Sequence, residues 1–488
     1  MKNTTRKISL KLLALLLASL AALAASACAK KVDSPKLEHS VMQFYCPNDG
    51  MTSLFLDGKK LDDQIGGAIT KIGTVDGTKG FVTAATALYR FDETGLLKIY
   101  PAAVTNAVLS LDERFILFAS STEVFLYDHD KKSYDKIPDT DCKSVVGLVL
   151  SPDGSAAGIT VVDANDRINA YTYIDGKTSL YGSDRCIAAI GNGGKTSYCL
   201  AAPNGEVSGE LYYVNGGKEI RIAENASNYF EVNRDLSEIT FDIDSRTYIS
   251  RNGGEAKKLV EDSVLSYSGA QKAEQGGRAV VTLLKNTNTL LDSVFYSEVT
   301  GEHEDGYTVN AYNIYYVDSS LNVSTLARGA SQFSVSDDGT AILCTVDEVL
   351  YRVSAHNPKK PEQLAKDVFS FCCTPDLKTV YPISTGGNLW RIENGTSSPI
   401  LLLGIQLAKL MDNGVAVCYA PMDGGGTLIW MQNGTWGTIR ENVSFFEVYP
   451  GMAALLSDHD EANNTYDLYI STDGINFSLA EEDVRIGR

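Results

Sequence analysis

Histidine, tryptophan and clustered basic residues are what this chain has least of. Its 488 residues hold five histidines and three tryptophans, and 43 Lys and Arg face 61 Asp and Glu, for a net charge of −18. Without a basic patch there is no footprint for nucleic acid, nor for anionic lipid or wall polymer. The acidity itself reads as a solubility feature. No Gly-x-Ser-x-Gly elbow, His-Glu-x-x-His pair or phosphate-cradling glycine loop occurs. A serine hydrolase with an α/β half, a zinc protease of that type and a nucleotide enzyme are thereby disfavoured. Helical periodicity is missing after residue 31, which excludes helical repeats. The nine cysteines make no Cys-x-x-Cys pair. Cys199, Cys344 and Cys418 stand among valine, leucine and tyrosine in strand patterns and read as small buried hydrophobes. Cys142 with Cys186, both at the start of repeats, is the candidate disulfide.

What the chain does have begins at its first residue. Met1-Lys2-Asn3-Thr4-Thr5-Arg6-Lys7 is a basic start, followed by an apolar run from Leu10 to Ala25 and then Ser26-Ala27-Cys28. That order reads as a secretory signal peptide over 1–27, the run being short and alanine-rich for a membrane span. Ala25-Ser26-Ala27-Cys28 resembles the lipobox of bacterial lipoproteins, with Ala25 where leucine is commonest. The resemblance implies a lipid on Cys28, a tether over 28–40, and a body over 41–488 held outside the cytoplasmic membrane by acyl chains. Loss of Lys2, Arg6, Lys7 and Lys11 with the leader takes the charge from −18 to −22.

A repeat fixes the expected architecture. Turn motifs recur at Val75-Asp76-Gly77, Ser110-Leu111-Asp112, Ser151-Pro152-Asp153-Gly154, Gly191-Asn192-Gly193-Gly194, Asn233-Arg234-Asp235, Ser336-Asp337-Asp338-Gly339, Thr374-Pro375-Asp376 and Met411-Asp412-Asn413-Gly414. Most steps between them are 36 to 42 residues, and weaker copies near Gly276 and Gly451 bring the number to about ten. Each turn is followed by an apolar strand such as Phe115-Ile116-Leu117-Phe118, then by an aromatic strand such as Leu350-Tyr351-Arg352-Val353. A hairpin turn such as Asn394-Gly395 or Asn433-Gly434 leads to a fourth strand, these dipeptides accepting positive φ cheaply. Four strands per 40 residues, repeated, predict an all-β β-propeller, either one large ring or two smaller ones. The fragment 41–66 is too short for a unit and is placed beside the last one, where it would help close a ring.

Ser151-Pro152-Asp153-Gly154, with the apolar and aromatic strands after it, resembles the WD40-like propeller repeat of the TolB group. Ser336 to Gly339 and Thr374 to Asp376 repeat it with small changes, and the resemblance covers about 68–484. It implies a fold rather than an activity. The chain lacks the Gly-His start and Trp-Asp end of the eukaryotic repeat. Ser471-Thr472-Asp473-Gly474-Ile475-Asn476-Phe477 is similar to the Asp-box turn of sialidase-like propellers but is one residue short, and is read as a hairpin turn.

Candidate site residues come from what interrupts the repeat. An insertion around 285–305 opens with polar Lys285-Asn286-Thr287-Asn288-Thr289, has strand character from Leu290 to Val299, and carries Glu302, His303, Glu304 and Asp305. Loops on a regular scaffold serve binding, so these four residues form the candidate binding loop. Trp436 is the tryptophan expected to be exposed, whereas Trp390 and Trp430 occupy a recurrent strand position and read as packing. His129 in Asp128-His129-Asp130 and His459 in Asp458-His459-Asp460-Glu461 read as solvated turns. No catalytic residue, metal site or cofactor is assigned. The leading function is a non-catalytic lipoprotein whose propeller binds or scaffolds an envelope protein. A glycan- or peptide-binding module for uptake and a propeller hydrolase or lyase are the alternatives. An exposed apolar patch rimmed by polar groups would favour the first, an aromatic groove the second, and convergent acids with an ion the third.

Overall fold

A computed structural model describes residues 41–486, apart from 47–50, 57–58, 76–78, 93, 139, 141, 203–207, 234, 245, 260–262, 266–278, 285–293, 300–301, 305–306, 310–311, 319, 337, 394, 401–403, 412, 423–424, 434 and 450. The expected signal peptide over 1–27, Cys28 and the expected tether over 28–40 lie outside the described residues, as do the turn residues Asp76, Gly77 and Asp412, the copy at Gly276, and Asp305.

Four-stranded antiparallel meanders repeat along the chain. Unit 1 is Ile69–Thr74, Gly80–Ala84, Ala87–Asp92 and Gly95–Tyr100, hydrogen-bonded in that order. Units 2, 3, 7 and 8 repeat it over 106–136, 144–183, 332–365 and 368–400. Units 4 and 5 share the 15-residue strand Lys218–Val232, which pairs first with Ser208–Asn215 and then with Glu238–Ile243. Units 9 and 10 share Thr435–Tyr449 in the same way. Unit 6 is Ala279–Leu284, Val294–Val299, Tyr312–Val317 and Val323–Ala330, with Ser263–Leu265 added in parallel on its first strand. The fold is of the all-β β-propeller class, with the expected repeat length. Each recurrent turn falls between the first and second strands of its unit, so a unit begins one strand earlier than the turn that betrays it.

The turns work by side-chain capping. Ser151 Oγ accepts from the Ala156 amide at 2.9 Å and donates to Asp153 Oδ1, which also accepts from the Ser155 amide at 2.9 Å. Ser110, Asn233, Ser336 and Thr374 cap the amide five residues on in the same manner. The fourth turn residue has positive φ: Glu113, Gly154, Leu236, Gly339, Leu377 and Gly414. Glycine is required where the neighbouring unit leans in, since a Cβ on Gly154 would lie 2.1 Å from the Phe115 ring. Leu236 and Leu377 instead bury their side chains between units. Burial of a leucine contributes about 1.5–3 kcal/mol, of the same size as the cost of about 1–3 kcal/mol for a left-handed backbone, and so offsets it.

Apolar clusters lie between successive units rather than within them. Phe81 and Leu88 of unit 1 pack on Ile116, Phe118 and Tyr127 of unit 2. Similar clusters join units 2 to 3, 3 to 4, 4 to 5, 6 to 7, 7 to 8, 8 to 9 and 9 to 10. Units 5 and 6 meet through Arg251 Nη1 donating to Asp318 O at 2.6 Å and Lys257 Nζ to Ser320 O at 3.1 Å. The N-terminal strands Val41–Cys46, Met51–Leu56 and Lys59–Gly66 pair onto the last strand, with Phe44 opposite Ile486 and Tyr45 opposite Arg485. Phe55 then packs on unit 10 and Leu54 on unit 1, so this fragment bridges the two ends of the repeat array.

One regularity was not expected from the sequence. In most units one residue bulges out of register where the fourth strand pairs with the third, at Leu61, Ile99, Tyr181, Ile222, Leu326, Leu364, Ile439 and Ala480, while units 2 and 8 keep an unbroken register there. The bulge falls beside the Leu-Tyr position of the third strand, as at Leu88-Tyr89 and Leu350-Tyr351. A bulge sharpens strand twist. Because Leu61 shares it, Lys59–Gly66 is the outer strand of a further unit to which Val41–Cys46 and Met51–Leu56 supply two inner strands.

Candidate functional site

Strand polarity sorts the loops onto two faces. In each antiparallel unit the capped turn after the first strand and the hairpin after the third lie at one end. The hairpin after the second strand and the link to the next unit lie at the other. The first is called the capped-turn face and the second the open face. First strands of successive units lie against one another in units 1 to 4 and 8 to 10, which places them on the inner edge.

The inner edge carries the exposed apolar side chains that matter most. On units 8 to 10, Phe369 (59% exposed), Leu407 (37%) and Phe445 (44%) sit near the starts of three neighbouring first strands, toward the open face. Met422 (67%) ends the second strand of unit 9 on that face. Phe369 is exposed because it is a bulge residue between Val368 and Ser370, both of which hold register with the second strand. Phe446 turns the other way, stacking on Tyr419 at 6.0 Å beneath the Lys409–Glu447 ion pair. Charged groups border the patch: Lys366, Asp367, Glu441, Asp458 and Glu461 are exposed, and Asp460 is half-buried. Arg440 ties down Asp458 through a 2.5 Å ion pair. Asp460 has its carboxyl held below the usual range, by the Asn463 side chain first and then the Ala462 amide.

The predicted loop reaches the same face by its backbone. Val294–Val299 is a ladder strand between Ala279–Leu284 and Tyr312–Val317. The insertion expected over 285–305 therefore contains a strand of unit 6. Beyond it, Glu302–Glu304 and Tyr307–Val309 form a separate two-stranded hairpin between the second and third of those strands, at the open face. The backbone of Glu302–Glu304 thus lies at the face that bears the apolar patch. Trp436 is half-exposed as expected (48%), but it opens the fourth strand of unit 9 at the capped-turn face, so it does not join the others. Trp430 packs between units 9 and 10, as its strand position implied.

A second group, on the capped-turn face, was missed in sequence. Arg90 at the end of a third strand is buried, donates to Asp92 Oδ2 at 2.5 Å, and reaches His129 Nε2 of unit 2 at 2.8 Å. Arginine only donates, so His129 accepts on Nε2 and is neutral with its proton on Nδ1, an atom buried without a partner. His129 is thus half-buried at an interface, which corrects its reading as a solvated turn. His459 is exposed against Asn464 and Tyr466, in keeping with that reading. Arg251 and Arg352 make the same reach, to Asp318 O and Leu377 O of the following unit. These pairs are 25 to 67 residues apart, so no local pattern signals them. The candidate Cys142–Cys186 cross-link is not formed: both are free thiols, Cys142 donating to Thr122 O at 3.0 Å. Cys199, Cys344 and Cys418 are buried among apolar side chains, as expected.

The clamp sets an acid dependence. Burial and the nearby Arg90 hold His129 below its ordinary value. Burial pushes Asp92 up, but hydrogen bonds from Thr94 and Arg90 prevail and bring it to about 2. An unfolded chain protonates its histidine near pH 6.5 while the folded clamp resists, so the His129 contribution is full above that pH and is lost as pH falls below it. The Asp92 contribution is full above about pH 4 and is lost toward pH 2. Urea midpoints measured from pH 7 to 5 should decline, and His129→Gln, which keeps an acceptor without titrating, should make that decline shallower.

The chain matches no protein-family model and no curated protein sequence. Solved structures similar to it include a eukaryotic initiation factor, at 12% identity and a TM-score of 0.42 over 83% of this chain and 97% of that one. Dipeptidyl peptidase 4 of Porphyromonas gingivalis aligns at 11% and 0.38, over 72% and 65%. An ancestral GH74 enzyme aligns at 10% and 0.31, over 89% and 85%. These are likenesses of fold alone.

Proposed function

We propose that this is a non-catalytic lipoprotein, anchored outside the cytoplasmic membrane through Cys28, whose propeller binds an envelope protein at the open face of units 8 to 10. The observation that carries the reading is the patch of Phe369, Leu407 and Phe445, exposed on three neighbouring first strands, with Met422 exposed at the end of a second strand on the same face and charge at the border. Apolar side chains so grouped and rimmed by polar groups suit a protein partner better than a sugar, which needs flat aromatic platforms and hydrogen bonds. The anchor rests on the basic–apolar–Ala-Ser-Ala-Cys order of the leader. The TolB-type resemblance of the repeat is consistent with this reading.

One experiment with the full chain in a bacterial host tests both halves. The parent should fractionate with membranes, carry lipid mass at its N-terminus, and co-purify a cross-linked envelope protein. Phe369→Ser with Phe445→Ser should stay in the membrane fraction and lose that partner, whereas Cys28→Ala should lose the lipid mass. A parent recovered without lipid removes the anchor, and a double variant that keeps the partner removes the patch.

A further inference from the structure

We infer that the segment taken by this patch is apolar and cationic: an extended stretch of a partner protein carrying leucine-like side chains flanked by lysine or arginine. The inference rests on the proposed binding role of the patch and adds the chemistry of what binds. Its basis is the charge around the four apolar residues. Asp367, Glu441, Asp458, Asp460 and Glu461 border them on units 8 to 10, against Lys366 and Arg440. Arg440 and Asp458 are committed to each other and to the Tyr469 hydroxyl, so that pair cancels and leaves Asp367, Glu441, Asp460 and Glu461 against Lys366. Lys409, the other cation of this wall, is paired with Glu447 and lies 5.7 Å over the Phe446 ring. The free charge that meets a ligand here is therefore negative. On the same face, the hairpin of unit 6 brings Glu302 and Glu304 by its backbone position.

Complementary charge guides encounter and discriminates partners, while the buried apolar contact supplies most of the affinity. The patch is elongated along three inner strands, with one apolar residue per strand, which suits an extended segment better than a globular knob. An anionic segment of equal apolarity would, among the described residues, meet mostly like charge, with Lys366 the exception.

Three twelve-residue acetylated peptides test this with the mature chain, by titration calorimetry at low salt: alternating Lys-Leu, alternating Glu-Leu and alternating Lys-Ser. The expected result is one-to-one binding of Lys-Leu, at least about tenfold tighter than either of the others. Raising salt from 50 to 500 mM should weaken it by about tenfold, since the rim charges are exposed. Phe369→Ser with Phe445→Ser should abolish it, and Asp367→Asn, Glu441→Gln and Glu461→Gln together should reduce it to the level of Glu-Leu. These are exposed positions, and unchanged thermal midpoints would show that each variant is folded. Equal binding of Lys-Leu and Glu-Leu, both lost in the phenylalanine variant, would overturn the cationic inference and leave the patch standing. Equal binding of Lys-Leu and Lys-Ser, indifferent to the phenylalanine variant, would overturn the patch as well, leaving only attraction to an acidic protein. Binding of none of the three would remove both.

Discussion

Replacing Phe55 by alanine is expected to cost about 3–5 kcal/mol of stability, a larger loss than from any surface change discussed above. Phe55 is wholly buried and sits in one cluster with Met452, Ala454, Leu456, Leu468, Ile470 and Val484, all from unit 10. Its neighbour Leu54 points the other way, into Val82, Tyr89 and Phe91 of unit 1. Adjacent strand residues face opposite sides, so two successive side chains hold the two ends of the array to one short fragment. Leu54→Ala should therefore also be costly, by about 2–5 kcal/mol. The two clusters share no partner, so the double variant should lose more than either single variant. Deletion of 41–66 should go further, exposing both faces and the backbone edge of Ser478–Ile486, with aggregation as the expected result. Urea midpoints of the two single variants and the double, with light scattering for the deletion, check this. If the Phe55→Ala midpoint matches the parent, the pairing of Phe44 and Tyr45 with the last strand does not hold the ends in solution.

The contrast between what was legible and what was not follows sequence distance. Turn chemistry is local: Ser151 caps Ala156 and Asp153 caps Ser155, all within one short segment, so the motif announces the repeat. The third-strand dipeptides such as Leu88-Tyr89 are equally visible, because alternation along one strand decides which side chain is buried. The buried cysteines were legible for the same reason. Bulges were not, since the residue that slips depends on the pairing partner rather than on its own neighbours. Phe369 shows the consequence: in a regular strand beside Phe371 it reads as core, and the slip leaves it exposed. Arg90 and His129 are 39 residues apart, and only the stacking of units brings them together. The site was half legible for a related reason. The hairpin of Glu302, His303 and Glu304 could be singled out because it breaks a repeat, while the patch on units 8 to 10 lies inside the repeat and breaks nothing.

The insertion in unit 6 yields the second large effect, and it separates a strand from a loop. Val294–Val299 pairs on both sides, Val280 to Leu284 with Phe295 to Val299, and Tyr312 to Val317 with Val294 to Val299. Removing it would strip two ladders at once and leave two neighbouring strands with unpaired backbone, each buried unpaired group costing about 1–3 kcal/mol. Replacing 286–305 by a short turn should thus give an aggregating or unfolded chain, although loop length alone would predict a cost of only about 1 kcal/mol. Replacing 300–311 by a two-residue Asn-Gly turn is different. Val299 is paired with Tyr312, so the ladder ends where the hairpin of 302–309 begins, and a tight turn can join the two directly. That variant should melt within a few degrees of the parent. Its partner binding then reads the role of Glu302, His303 and Glu304 without interference from folding. Loss of capture with an unchanged melt would place the hairpin in the binding face with the patch. Full capture would confine recognition to Phe369, Leu407, Met422 and Phe445. A melt that falls as far as that of the 286–305 replacement would mean that the hairpin supports unit 6, contrary to its separation from that unit's sheet.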